Sequence, residues 1–341
     1  MLDTSKAQTH ARANHPTNLV AVQAQMTLAD YESAEHFHKK ILNLSERAVD
    51  GLPQGQTLVA FPEVIGLPLL LTLGHFEAVR HSSSIQGAML SYLKRAWKQV
   101  LASAWQQRRW GFASLYQAQA IPAYLAYKRA FSEAAKTFGV QVIAGSIFLP
   151  HIEEEAARGV HVARREVYNT AFGFSAKGQL LGRSRKVYLT DGAESRSGLS
   201  RGQLADLYPI SMPVGKVGVA ICLDAFYSSV IEHFDALGTE IIVQPSANHA
   251  DWQRPWPADP TLTEGEAWLK HGLLQMIQGR EHLRFGLNPM MVGNVWDLEA
   301  SGRSSIVFNT RHYPGFQTER PGLAALAESP YEEAFVRFSF K

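Results

Sequence analysis

The stretch Val214-Gly215-Lys216-Val217-Gly218-Val219-Ala220-Ile221-Cys222-Leu223-Asp224 is an apolar run that ends on the chain's single cysteine and an acid. A run of this kind, without strict polar alternation, reads as a strand covered on both faces. Shorter runs in the same style lie before and after it, at Leu19-Val20-Ala21-Val22-Gln23-Ala24 and at residues 57–63, 140–149, 168–174, 240–243 and 304–308. Helical stretches fall between several of them. The clearest covers residues 27–50, with Ile41, Leu42 and Leu44 on its apolar side and Gly51-Leu52-Pro53 as its stop. Strands alternating with helices predict an α/β protein whose sheets are covered. With no repeat and no Gly/Ser-rich linker, one large domain is expected.

Composition narrows the class. Of 341 residues, 46% are hydrophobic and 19% charged, the balance of a globular chain with a sizeable core. Thirty-three basic residues against 31 acidic ones give a net charge of +2, which does not argue for nucleic acid as partner. The lone Cys222 excludes an intrachain disulfide, a thiolate zinc site and an iron–sulfur cluster, and it fits a reducing compartment. No run reaches the roughly 18 apolar residues of a membrane span. Residues 1–18 are polar, lack a signal-peptide core and read as a flexible tail. A cytoplasmic protein is expected.

Two regions depart from their surroundings. Residues 75–135 hold eight basic side chains (Arg80, Lys94, Arg95, Lys98, Arg108, Arg109, Lys128 and Arg129) against Glu77 and Glu133; this local +6 leaves −4 for the rest of the chain. Within it Leu90, Leu93, Trp97, Val100, Leu101 and Ala104 recur at helical spacing. Such a helix packs on its own domain or a second subunit, lies on a membrane surface, or binds an acidic partner. Residues 251–266 crowd Trp252, Pro255, Trp256, Pro257 and Pro260 together, as in a lid or a rigid surface crossing.

Several patterns are decoys. Gly198-Leu199-Ser200-Arg201-Gly202 matches the G-x-S-x-G nucleophile elbow, but its approach from Asp191 is polar and turn-like, whereas the elbow needs a buried strand. His36 and His38 are two apart on a helix and face different ways; His81, His249, His271 and His282 lack zincin spacing. No metal or organic cofactor is expected, and no phosphate-binding glycine loop is present.

What remains is Cys222 at the carboxyl end of a strand, where α/β sheets place their sites. A cysteine there is either a small apolar filler or a nucleophile. Glu63 closes the apolar run Phe61-Pro62-Glu63, and Lys186 sits in Gly182-Arg183-Ser184-Arg185-Lys186-Val187-Tyr188-Leu189. By themselves, Glu63 and Lys186 also read as an ordinary ion pair between strands.

These segments together resemble the nitrilase superfamily of carbon–nitrogen hydrolases. The family's F-P-E, R-x-R-K-x-x-L and G-v-x-I-C motifs match Phe61 to Glu63, Arg183 to Leu189 and Gly218 to Cys222 in this chain order. Tyr168-Asn169-Thr170-Ala171 and Pro245-Ser246-Ala247-Asn248 extend the similarity, which runs from Leu19 to about Asn309. The resemblance implies a four-layer αββα sandwich over residues 19–310, with 75–135 as a basic helical insertion. Residues 311–341 form a C-terminal extension, and the alternating Phe335-Val336-Arg337-Phe338-Ser339-Phe340 reads as a last strand or an exchanged tail.

The resemblance also implies a Glu63–Lys186–Cys222 triad, with Glu194 orienting Lys186 or the substrate amine. The Leu223 N–H is expected in the oxyanion hole, and Asn248 and Trp252 at the substrate. The pair Leu223-Asp224 is more similar to amidase-like branches than to true nitrilases, where Trp-Glu is usual. Hydrolysis of a small amide or carbamoyl compound through a Cys222 thioester is therefore expected, with Glu63 taking the thiol proton, Lys186 stabilising the thiolate so formed, and a homodimer or higher homo-oligomer as the assembly. The alternatives are nitrile hydrolysis through a thioimidate, and a non-catalytic scaffold that binds a partner through the helix around Trp97.

Overall fold

The computed structural model describes residues 16–107, 111–191, 194 and 197–341. Most of the expected tail, residues 1–15, and Arg108 and Arg109 of the basic segment lie outside the described residues.

Two sheets lie at the centre of the molecule. The first contains β1 (Thr17–Gln25), β2 (Gln56–Ala60), β3 (Gln141–Glu155), β4 (Gly159–Phe174), β5 (Leu180–Arg185), β12 (Met291–Val295), β13 (Leu298–Ala300) and β16 (Ala334–Phe340). Its order is β13-β12-β1-β2-β3-β4-β5, and β16 also pairs with β1. The second runs β15-β14-β11-β8-β7-β6. Its strands are β6 (Ile210–Met212), β7 (Gly215–Val219), β8 (Ile241–Val243), β11 (Phe285–Asn288), β14 (Ser305–Phe308) and β15 (Leu323–Leu326). A short hairpin, β9 (Pro255–Trp256) and β10 (Asp259–Thr263), stands apart.

Period-two alternation sorts the apolar side chains into layers. In β1, Leu19 and Ala21 meet Val217, Val219, Ile241 and Phe285 between the sheets, while Val20 and Val22 turn to the opposite face. That outer face is covered by α1 (Ala34–Val49) and α6 (Ala120–Phe138), through Phe37, Ile41, Tyr127 and Phe131. On the other side, α7 (Ser228–Ala236) lays Val230, Ile231 and Phe234 over Ala220 and Ile242. Three apolar layers between four structural layers make the αββα sandwich.

The remaining helices are α2 (Leu69–Thr72), α3 (Phe76–Val79), α4 (Ile85–Gln107), α5 (Phe112–Ala118), α8 (Glu264–His271) and α9 (Leu273–Met276). The segment expected as one insertion is therefore divided. Its last part, from Ala120, is α6, a layer of the sandwich whose Ala123, Ala130 and Ala134 are fully buried and permit close packing on β3 and β4. Only α3 to α5 elaborate the fold. The expected apolar stripe of α4 is also split. Val100 and Ala104 are buried, but Leu90, Trp97 and Leu101 stand exposed, and the helix kinks at Ala96.

The C-terminal alternation forms β16, antiparallel to β1 of the same chain from Thr17↔Phe340 to Gln23↔Ala334. Thr17 and Asn18, expected in the tail, are strand residues. Among the described residues, no helix is long and apolar enough to cross a membrane.

Candidate active site

Glu63 lies three residues beyond β2, in a turn held by tight backbone contacts. Phe61 N–H donates to the Ile143 carbonyl at 2.9 Å, and Val64 N–H donates to Ser146 Oγ at 2.9 Å. Gly145 must be glycine here. It has φ +74°, and a Cβ on it would stand 2.0 Å from the Pro62 carbonyl oxygen. Val64 itself has φ 52°, an unfavourable conformation for a β-branched residue. Such a conformation costs about 1–3 kcal/mol, and the surrounding bonds hold it in place.

Lys186 follows β5 directly. Its N–H donates to the Asn169 carbonyl at 2.9 Å, and its own carbonyl accepts from Gly202 N–H at 2.8 Å. Cys222 begins a short turn after β7, at φ 49°, and its N–H donates to the Pro245 carbonyl at 2.9 Å. The strand ends at Val219, yet Ala220 still donates to Val243, so the pairing with the β8 segment carries rigidity to the cysteine.

The three segments converge. Lys186 Nζ, 1% exposed, donates to Glu63 Oε1 at 2.8 Å and to Glu194 Oε2 at 2.7 Å. Asn169 Nδ2 bridges the same two acids, at 2.9 Å to Glu63 Oε1 and 3.1 Å to Glu194 Oε1. Ala247 N–H reaches Glu63 Oε2 at 3.2 Å, and Thr190 N–H reaches Glu194 Oε2 at 2.9 Å. The Cys222 thiol feels the charges of Glu63 and Lys186.

Burial alone would lower the Lys186 pKa. The charges around it, Glu63 first, reverse that and raise it above the ordinary lysine range, so the ammonium is permanent. For Cys222, burial raises the thiol well above its usual range, Glu63 adds to this, and Lys186 only opposes it.

Asp224 locks the nucleophile turn to the lysine segment. It is fully buried and its Oδ1 accepts from Tyr188 N–H at 2.7 Å and from Val187 N–H at 3.1 Å. Burial pushes its pKa from 3.8 up to about 7, with the two backbone donors pulling the other way. The folded state thus holds this proton more tightly than the unfolded chain. The stability it confers is complete below about pH 3.8 and is lost as pH rises through about 7. Asp224→Asn keeps an acceptor and cannot ionise. Its melting temperature relative to wild type is expected to climb between pH 4 and pH 7 and then level off; a pH-independent difference would contradict this.

A cavity of about 1150 Å³ opens over Cys222, with Glu63, Lys186 and Glu194 in its wall. Tyr116, Phe148, Phe226, Tyr227, Trp256 and Trp268 give it a large aromatic share. Leu223 lines it too, and its N–H has no acceptor among the described residues. Asn248 also faces it, although its side chain bonds both the N–H and the carbonyl of Ala250. Trp252, expected at the substrate, is instead buried behind the wall. It packs on Trp268 with ring centroids 5.9 Å apart and fills the space beside Gly265.

Sequence reasoning did not single out Asn169 as a site residue, nor Phe226 or Trp268. Ser200 of the decoy elbow lies in an irregular stretch, its N–H bonded to the Val167 carbonyl, with no helix leading away. Part of its approach, residues 192–193 and 195–196, lies outside the described residues. Glu153, Glu155 and His161 bring donor atoms within 4.8 Å of one another, but they are on the β3–β4 hairpin and none lines the cavity.

Residues 19–268 match the sequence pattern of the family described as carbon-nitrogen hydrolase. The chain belongs to that family. It is 35% identical over 147 residues to Nitrilase 3 of Arabidopsis thaliana, covering 42% of this chain and 41% of that protein. With an omega-amidase of Xenopus tropicalis it shares 29% over 123 residues, covering 34% and 40%. The matched stretch thus spans less than half the length of these curated relatives. The fold is shared more widely. A carbon-nitrogen hydrolase from Helicobacter pylori superposes with a TM-score of 0.63 at 17% identity, over 96% of this chain and 90% of that one. An amidase from Nesterenkonia sp. AN1 gives 0.56 at 14%, over 96% and 93%.

Proposed function

We propose that this hydrolase cleaves an amide or carbamoyl C–N bond through a thioester on Cys222. The observation that carries the reading is the buried Lys186 ammonium bridging Glu63 and Glu194 beside the cysteine, at the wall of the large cavity. Glu63 takes the thiol proton as Sγ attacks the carbonyl carbon, so no free thiolate accumulates. The tetrahedral oxyanion is held by the Lys186 ammonium and the Leu223 N–H; one such donor contributes about 3–4 kcal/mol in other hydrolases. Glu63 returns its proton to the departing nitrogen as the C–N bond breaks. It then takes a proton from water, which attacks the thioester carbonyl; as the C–S bond breaks, Glu63 gives that proton to Sγ, releasing the acid and restoring the thiol. Glu194 and Asn169 keep Lys186 and Glu63 in place.

The aromatic walls favour a substrate with an apolar acyl portion. The pair Leu223-Asp224 supports an amide over a nitrile, and the names of the omega-amidase and the Nesterenkonia amidase point the same way. Ammonia release from the amide and the nitrile of one aromatic acyl group tests the choice. The amide is expected to turn over at least about tenfold faster, the ratio of roughly 1.4 kcal/mol in barrier. A faster nitrile would replace the thioester by a thioimidate.

A further inference from the structure

The face of α4 turned away from the sandwich carries an unusual combination. Leu90, Trp97, Leu101 and Trp105 are 59%, 55%, 48% and 79% exposed. A groove of about 440 Å³ runs beside them, lined by Leu93, Trp97, Val100, Leu101, Phe112 and Leu115. The cations Lys94, Arg95 and Lys98 are exposed on the same helix, with Lys98 Nζ 5.6 Å from the centre of the Trp97 ring. From residue 78 to residue 132 the chain contains no Asp or Glu.

We infer that this face docks on the surface of an anionic lipid bilayer. Apolar side chains with tryptophan, on a helix whose exposed charged groups are lysine and arginine, form the pattern that sinks into the headgroup–acyl boundary. Each cation near an anionic membrane adds attraction, and the helix itself carries no acid to repel the lipid phosphates; the exposed Asp297 sits only at its first residue, accepting from Ile85 N–H. A second copy fits less well. A two-fold contact through this face brings the same cations of both chains together. A soluble acidic partner would answer the charge but not the row of exposed Leu and Trp. The inference is independent of the catalytic reading, because Trp97, Leu101 and Trp105 do not line the catalytic cavity.

Co-sedimentation of the full chain with vesicles tests it. Binding to phosphatidylcholine vesicles containing phosphatidylglycerol is expected, with little binding to phosphatidylcholine alone and weakening in high salt. Trp97→Gln with Trp105→Gln is expected to lower vesicle binding roughly tenfold, with melting temperature and turnover of a soluble amide unchanged. Lys94→Glu with Lys98→Glu is expected to abolish the preference for anionic lipid. No binding to the anionic vesicles would overturn the inference. So would undiminished binding by the tryptophan variant, which would leave charge alone as the attraction. Sedimentation velocity covers the remaining outcome: if the tryptophan variant converts a dimer into monomers, the face is a subunit interface and the inference falls.

Discussion

Lys186→Met is expected to remove both turnover and much of the stability. The ammonium is 1% exposed and lies 2.8 Å from Glu63 and 2.7 Å from Glu194, so deleting it strands two carboxylates that are themselves nearly buried. Breaking a buried pair by removing one partner costs about 3–5 kcal/mol. Asn169, Ala247 and Thr190 still donate to the two acids and limit the loss. Turnover falls by about two to three orders of magnitude with the loss of an oxyanion donor alone. Thermal melts check the first part and amide hydrolysis the second. An unchanged melting temperature would show that Lys186 does not hold these acids together.

Cys222→Ala is expected to do the reverse: abolish hydrolysis and leave the fold intact. The cysteine is only half-buried, and its backbone bonds to Pro245 and Gln244 do not use the sulfur. Removing the nucleophile of a triad costs about six orders of magnitude in kcat in a well-studied serine protease, and a loss to background is the expectation. The φ of 49° persists in the alanine variant, so its strain is neither gained nor relieved. Because Cys222 is the only cysteine, thiol labelling disappears with it. Retained activity would restore the readings in which the cysteine is filler or another group is the nucleophile.

The sandwich was legible because its strands are short apolar runs. The long hairpin of β3 and β4 was only half visible, since His161, Arg164 and Arg165 on its exposed arm do not read as buried strand. Glu63, Lys186 and Cys222 stood out through local motifs at strand ends, and Glu194 through its place after the lysine in the family resembled. Asn169 did not, because its bridging role exists only once β4 lies between the two acids. The tryptophan cluster was noticed, but which ring faces the cavity is set by packing against Gly265 and Trp268, which neighbouring residues in sequence do not encode.

The central claim is a covalent acyl group on Cys222. Acid-quenching the enzyme during turnover of a slowly hydrolysed amide, followed by intact-mass and peptide mass analysis, tests it directly. The account predicts a mass increase equal to the acyl group, on the peptide containing Cys222, removed by hydroxylamine and missing from Cys222→Ala. Rapid turnover with acyl transfer to any other residue, or an adduct that survives in Cys222→Ala, would contradict it.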